Sequence, residues 1–374
     1  MKNILDYTET YFETMDESQF NPVDSLVLSQ LAYVFYDDIF AAGGQGMNIE
    51  YIKTAQAEHY PSMFRIARDE DNNKRLLYAV AANPRFRGMR LSNYVNIIDD
   101  DSEKQFSAMV FKLPDGKWYI AFRGTDATLI GWKEDFNMSF KTPVAAQVES
   151  VSYINEIARR LKGDLIFGGH SKGGNLAAYA AMNCKKKIQD RIVNIYDHDG
   201  PGFRKEIIES NIYSGIEDRI YKTMPQSAVV GMLLENLGSC SIVESRSLGI
   251  MQHDPYSWSV DETDFIYTDK TTKSSQYLDT TVSQWLAEVS DDKRELFVDT
   301  MFSIISAGGA KTLAQFTSSW MNAAQKSLGE FRSIDPEVRK FLLQTFRRLI
   351  TISMKNLKPV SRKKPTAKKL IENP

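Results

Sequence analysis

Residues 169–174 read Gly-His-Ser-Lys-Gly-Gly, placing Ser171 between glycines two before and two after it. Such a pentapeptide arises by chance in about one chain in ten of this length, so its surroundings decide what it means. Directly before it runs the apolar stretch Asp-Leu-Ile-Phe-Gly, and after it the small-residue run Asn-Leu-Ala-Ala-Tyr-Ala-Ala-Met. A strand turning sharply into a helix would hold the Ser171 hydroxyl exposed, with the glycines removing Cβ atoms that would clash. The helix start adds an unpaired N–H at Lys172 and positive dipole where an oxyanion would form. The bland alternative is a glycine-rich strand–helix turn that merely packs well.

A serine nucleophile needs a base, and the chain holds four histidines. His59 precedes the expected sheet, His170 occupies the motif's variable position and is expected to point away from the hydroxyl, and His198 follows an expected strand. His253, in Met-Gln-His-Asp-Pro, falls in a loop after the last expected strand of the core. Serine, acid, histidine is the chain order when such a turn carries the nucleophile, which selects His253. A loop histidine capping local backbone is the competing account. The acid must then lie between 171 and 253 at the end of a strand. Asp199 is favoured because Gly-Pro-Gly follows it, with Asp197 in reserve. Asp199 as a plain turn-former is nearly as good an account. Asp254 is adjacent to His253 and poorly placed to face it. A second oxyanion donor is expected at Thr125, in Arg-Gly-Thr-Asp after a strand, to complement Lys172. Leu129, Ile130 and Trp132 follow as a substrate-binding wall, or equally as ordinary sheet-covering core.

Positioning these residues takes strands and helices in alternation. Residues 94–98, 106–113 and 117–122 read as strands, the last two joined by Pro-Asp-Gly. Then come a helix over 145–161, strand 164–168, a helix from Lys172, strand 191–196, a helix near 203–210, strand 219–224, a helix near 229–237 and strand 240–245. Apolar strands alternating with helices predict an α/β fold: a mostly parallel sheet of the α/β-hydrolase type, covered by helices on both faces. An N-terminal helical segment precedes it, with Asp24 as an expected N-cap and a loop at 41–46. Helical periodicity over 275–357 gives a C-terminal extension. The expected division is a core over 1–270, a helical cap or side-packed bundle over 271–357, and a basic tail over 358–374.

Composition narrows the function classes. The chain has 374 residues, 46 Lys+Arg against 48 Asp+Glu, and 43% hydrophobic residues. That is a globular composition without the global charge of a nucleic-acid binder. Two cysteines cannot build a disulfide framework or a four-thiolate zinc site. The opening residues are acidic and polar where a signal peptide is apolar, and no run reaches the ~18–20 apolar residues of a membrane span. The expected address is cytoplasmic.

The motifs as a set carry a resemblance. Tyr119-Ile-Ala-Phe-Arg-Gly-Thr125, then Trp132 with Asp135 three residues on, then Gly-His-Ser171, resemble the fungal-type triacylglycerol lipases over roughly 105–255. The chain as a whole more closely resembles the Mbeg-like domains, a bacterial lipase-like α/β-hydrolase domain of unknown function. This closer likeness rests on Asp24 through Tyr33, Gly169 through Asn175, Asp199-Gly-Pro-Gly-Phe203 and Gln252-His-Asp-Pro255. The resemblance implies an α/β-hydrolase core with Ser171 and His253 catalytic and with Thr125 and Lys172 supplying oxyanion N–H groups. One departure stands out. Fungal-type lipases carry their acid one strand later than Asp199, where this chain has Ser227, whereas pancreatic-type lipases place it one strand earlier.

The expectation is a serine carboxylic-ester hydrolase, using a Ser171–His253–Asp199 triad on a small-molecule ester or lipid. No metal, cofactor or nucleic-acid partner is implied. An acyltransferase, thioesterase or phospholipase would use the same residues, and a binding protein on a hydrolase fold would use none of them. The basic tail predicts weak contact with anionic membrane surfaces.

Overall fold

The computed structural model describes residues 2–43, 49–54, 56–64, 69–126, 128–235, 238–306 and 334–356. Its centre is a mixed sheet whose described strands run in the order β1 (Ile49–Glu50), β2 (Arg90–Asp99), β3 (Lys104–Lys112), β4 (Trp118–Phe122), β5 (Leu165–His170), β6 (Ile192–His198), β7 (Ile220–Pro225), β8 (Cys240–Val243) and β11 (Tyr267–Thr268). β9 (Val260–Asp261) and β10 (Asp264–Phe265) pair separately. β4 through β8 are parallel, and the flanking pairs are antiparallel. This is a mixed α/β sheet with a parallel centre and helices on both faces.

β3 shows why the sheet must be covered twice. Phe106, Ala108 and Val110 point to one face, Met109 and Phe111 to the other, and all five are fully buried. Period-two side chains that are apolar on both sides leave no face for water. The first set packs with Phe122 and Phe167 beneath the helices Ala145–Ile157 and Lys172–Asn183. The second packs with Tyr119 and Ile166 against the N-terminal helices Ile4–Thr10 and Pro22–Leu31. Burying an apolar side chain contributes about 1.5–3 kcal/mol. The N-terminal segment is therefore one wall of the core, and Ser25 reaches through it to bond Tyr119 (2.9 Å) and His198 (2.9 Å).

Several local expectations are corrected. The N-cap of the Pro22–Leu31 helix is Asn21, whose side chain accepts the N–H groups of Val23 and Asp24. Asp24 sits three positions into the capping box and closes a fully buried ion pair with Arg85, Oδ2 to Nη2 2.5 Å. β2 extends beyond 94–98 in both directions and bulges between Ser92 and Val95, with Asn93 at φ 52°. The helix Asp37–Gly43 runs into the expected 41–46 loop, whose last residues lie outside those described. The helix near 203–210 is a single turn, Lys205–Ile208.

No helix forms over 229–235 either. Gly231 N–H is drawn to the Asp199 carboxylate, Leu234 takes φ 66°, and Glu235 pairs with Phe203 as an isolated bridge. Long-range partners took the donors and acceptors that a helix would have used internally. Residues 236–237 lie outside the described set.

After residue 272 the chain is helical over Lys273–Glu288, Asp291–Ser306 and Pro336–Asn356. Phe297, Val298, Phe302 and Leu342 gather there with Phe140, and Trp132 packs against them. The expected tail at 358–374 and the stretch 307–333 lie outside the described residues. Among the described residues no helix is long and apolar enough to cross a membrane.

Candidate active site

β5 runs straight into the helix Lys172–Asn183, and Ser171 is the corner between them. Its backbone takes φ 59° and ψ −136°, a conformation that costs a non-glycine residue roughly 1–3 kcal/mol and persists only where the surroundings impose it. They do so from both sides. Ser171 N–H donates to the His198 carbonyl (2.9 Å), and the Ser171 carbonyl accepts Gly174 N–H (2.9 Å). Gly173 lets the helix start press onto β4, since a Cβ there would lie 2.1 Å from the Phe122 carbonyl oxygen.

The two expected oxyanion donors arrive by different routes. Lys172 is the first residue of its helix, so its N–H has no intrahelical acceptor. Its side chain turns inward. Nζ is fully buried and donates to Glu134 Oε2 (2.8 Å) and Gln105 Oε1 (2.6 Å). Glu134 Oε1 in turn accepts Ala146 N–H (2.7 Å), so that β3 and three helices are tied together beneath the turn. Thr125 follows β4, and its neighbour Gly124 abuts the corner: a Cβ on Gly124 would meet Ser171 Cβ at 3.1 Å and the His170 carbonyl at 2.5 Å. Thr125 Oγ1 donates to Asp135 Oδ2 at 2.5 Å. Burial pushes the Asp135 carboxyl up to about 6, against the opposing pull of Lys172 and the Thr125 hydrogen bond.

His253 ends the 3₁₀ turn Gly249–His253, and its Nδ1 lies 2.6 Å from Asp199 Oδ2. The carboxylate only accepts, so Nδ1 carries the proton and Nε2 of the neutral ring is left as an acceptor. Asp199 is fully buried at φ 53°. Its N–H donates to the Thr223 carbonyl (2.7 Å), and its Oδ1 accepts Gly231 N–H (3.0 Å). Both carboxylate oxygens are thus aimed from a turn at the end of β6.

The reserve acid, Asp197, serves elsewhere. Its two oxygens take Lys222 Nζ (2.7 Å) and Gly200 N–H (2.8 Å), and burial raises its carboxyl pKa against the attraction of Lys222. Ser227 N–H donates to Gln252 Oε1 (2.6 Å), and Gln252 Nε2 donates to the Ser247 carbonyl (2.9 Å). The position after β7 braces the histidine loop through Gln252 and offers it no carboxylate.

The other histidines divide sharply. His198 is fully buried between Ser25 Oγ and Thr223 Oγ1 (2.8 Å), and burial alone lowers its pKa to about 3. His59 lies in a 3₁₀ turn of the N-terminal segment. The His170 ring packs against His253. Its ring centroid is 4.6 Å from that of His253, and its Nε2 reaches the His253 carbonyl at 2.9 Å.

Of the expected wall residues, Leu129 is buried at the start of the helix Leu129–Asn137, Ile130 is half-buried, and Trp132 is drawn into the C-terminal apolar cluster. Sequence reading did not find Glu134, Gln252 or the involvement of His170. A buried glutamate one helical turn after Ile130 was the only local signal for the first. Among the described residues no group of three or more His, Cys, Asp or Glu side chains is arranged to hold a metal ion.

The chain belongs to the Mbeg1-like family, whose pattern matches residues 80–303. Solved structures similar to it include a Rhizomucor miehei lipase–propeptide complex, at 12% identity and TM-score 0.38 over 64% of this chain and 79% of that one. The M37 lipase is 13% identical with TM-score 0.36, over 55% and 68%. A lipase from Rhizopus microsporus var. chinensis is 14% identical with TM-score 0.33, over 62% and 86%. No curated protein sequence matches the chain significantly.

Proposed function

We propose that this Mbeg1-like chain is a serine carboxylic-ester hydrolase that works through an acyl-enzyme. Ser171 Oγ attacks the ester carbonyl while His253 Nε2 takes its proton, and the backbone N–H groups of Thr125 and Lys172 receive the oxyanion. The imidazolium returns the proton to the departing alkoxide. A water molecule, deprotonated by the same nitrogen, then attacks the acyl carbonyl and frees the acid and Ser171. Asp199 holds the tautomer this cycle needs and offsets the positive charge on His253. Leu129 and Ile130 are assigned to the apolar wall for the acyl group of a small-molecule ester or lipid, and Trp132 to backing that wall.

The observation that carries the reading is the 2.6 Å contact between His253 Nδ1 and buried Asp199 Oδ2, with His253 packed on His170, the residue before a serine held at positive φ. A turn serving only packing has no need to hold a distant histidine in one tautomer. The test is Ser171→Ala with short p-nitrophenyl esters and a fluorophosphonate probe. Turnover should fall by about 10⁴-fold or more and labelling should vanish, with an unchanged unfolding temperature. Persisting turnover would show that the nucleophile lies elsewhere.

A further inference from the structure

His170 is the residue inside the nucleophile motif that the proposed cycle leaves without a role, and its surroundings give it one. It closes β5, is 4% exposed, and touches three separate parts of the chain. Its Nε2 lies 2.9 Å from the His253 carbonyl oxygen, which can only accept, so the proton of a neutral His170 ring resides on Nε2. Its Nδ1 lies 3.2 Å from the Tyr33 hydroxyl, which is also 3.3 Å from the carbonyl of His170 itself. Trp258 meets the His170 ring edge-on at 6.3 Å, and Trp258 Nε1 donates to the carbonyl of Gln252, the residue before His253.

The loop being held is braced through Gln252 but keeps an exposed side. Leu248 and Met251, on the same turn as His253, are 85% and 61% exposed, and Gly249 takes φ 56°. Asp199 fixes one atom of the His253 ring, which leaves the ring free to pivot about that hydrogen bond. A second restraint on the backbone of the same residue, with a ring surface 4.6 Å away and tilted by 36°, removes that freedom. Tyr33 extends the restraint to the oxyanion side. A Cβ on Gly124 would lie 2.1 Å from the Tyr33 hydroxyl, so that hydroxyl packs directly on the loop carrying Thr125.

We propose that His170, supported by Tyr33, is a positioning residue: its Nε2–H anchors the His253 backbone so that His253 Nε2 is aimed at Ser171 Oγ while Asp199 holds Nδ1. This rests on the hydrolase reading and adds a residue to it. His170 moves no proton in the cycle and touches no reacting atom. Its contribution is the geometry of the base, and small displacements of a catalytic group are expensive in rate.

The test uses the full chain with two substitutions. His170→Leu keeps apolar bulk and removes the donor, whereas His170→Gln keeps an amide N–H able to reach the same carbonyl. His170→Leu should lower kcat on p-nitrophenyl butyrate by about 10- to 100-fold. KM should stay within about twofold, as for a loss confined to the transition state. His170→Gln should recover most of the loss. In parallel, the downfield proton resonance of His253 Nδ1–H should shift in the Leu variant and not in the Gln variant. A Leu variant with wild-type kcat and an unmoved resonance overturns the proposal, as does a Gln variant that falls as far as the Leu variant. A wild-type protein without ester turnover would defeat the hydrolase reading instead, and the resonance comparison would then decide the positioning role alone.

Discussion

Replacing Asp199 by Asn, beside the same change at Asp197, separates two aspartates that stand two residues apart and do different work. Asp199 is fully buried with both oxygens engaged by donors, His253 Nδ1 at 2.6 Å and Gly231 N–H at 3.0 Å. An asparagine has one oxygen and one NH₂ group, so one of those donors must face another donor. If His253 yields, its proton moves to Nε2 and the ring can no longer accept from Ser171. The charge is lost as well. A carboxylate about 4 Å from an imidazolium, at an effective dielectric near 20, is worth about 4 kcal/mol. That is a factor of about 10³ in rate, and the wrong tautomer carries the expected loss toward ~10⁴.

Asp197→Asn acts on stability instead. It leaves Lys222 Nζ buried with a neutral partner where a carboxylate had stood at 2.7 Å, at a cost of about 3–5 kcal/mol. The assay is kcat/KM on p-nitrophenyl butyrate, normalised to folded protein from urea unfolding curves. Asp199→Asn should be folded and nearly inactive, and Asp197→Asn active and easily unfolded. An Asp199→Asn protein within tenfold of wild type, alongside an inactive but stable Asp197→Asn protein, would refute the assignment of the acid.

Two further outcomes follow from the carboxylates behind the loop that carries Thr125. Burial holds the Asp135 carboxyl at about 6 against an ordinary 3.8, so unfolding releases a proton between those values and stability falls as pH rises from about 4 to about 6. Asp135→Asn should therefore stabilise the protein above pH 6 by up to about 3 kcal/mol and leave it unchanged below about pH 4; an equal effect at both pH values in urea unfolding would contradict this. Glu134→Gln removes the charge facing Lys172 Nζ at 2.8 Å and should cost about 3–5 kcal/mol in the same measurement. No loss would mean that the pair does not anchor the turn.

How much could be read without coordinates depended on the range of the interaction. Ser171 announced itself because the glycines, the strand before and the helix after are all local, and the same holds for the Pro-Asp-Gly turn between β3 and β4. The choice between Asp197 and Asp199 could not be settled from composition or spacing, since both lie at the C-terminal end of β6, one as its penultimate residue and one just past it. Their difference lies in what neighbouring strands bring, Lys222 from β7 to one and His253 from a loop more than 50 residues away to the other. The expected helix near 229–237 does not form over 229–235 for the same kind of reason, its backbone donors there being claimed by Asp199 and Phe203.

By itself, the amino-acid order determined the strand–helix rhythm, the strained corner at Ser171 and the short roster of histidines from which a base could come, because these depend on neighbours along the chain. Only the tertiary structure decided which acid meets His253, that His170 packs against His253, and that the N-terminal helices form one wall of the core. Those outcomes depend on hydrogen bonds and burial between segments far apart in sequence, where a donor is committed only once the sheet order has chosen its acceptor.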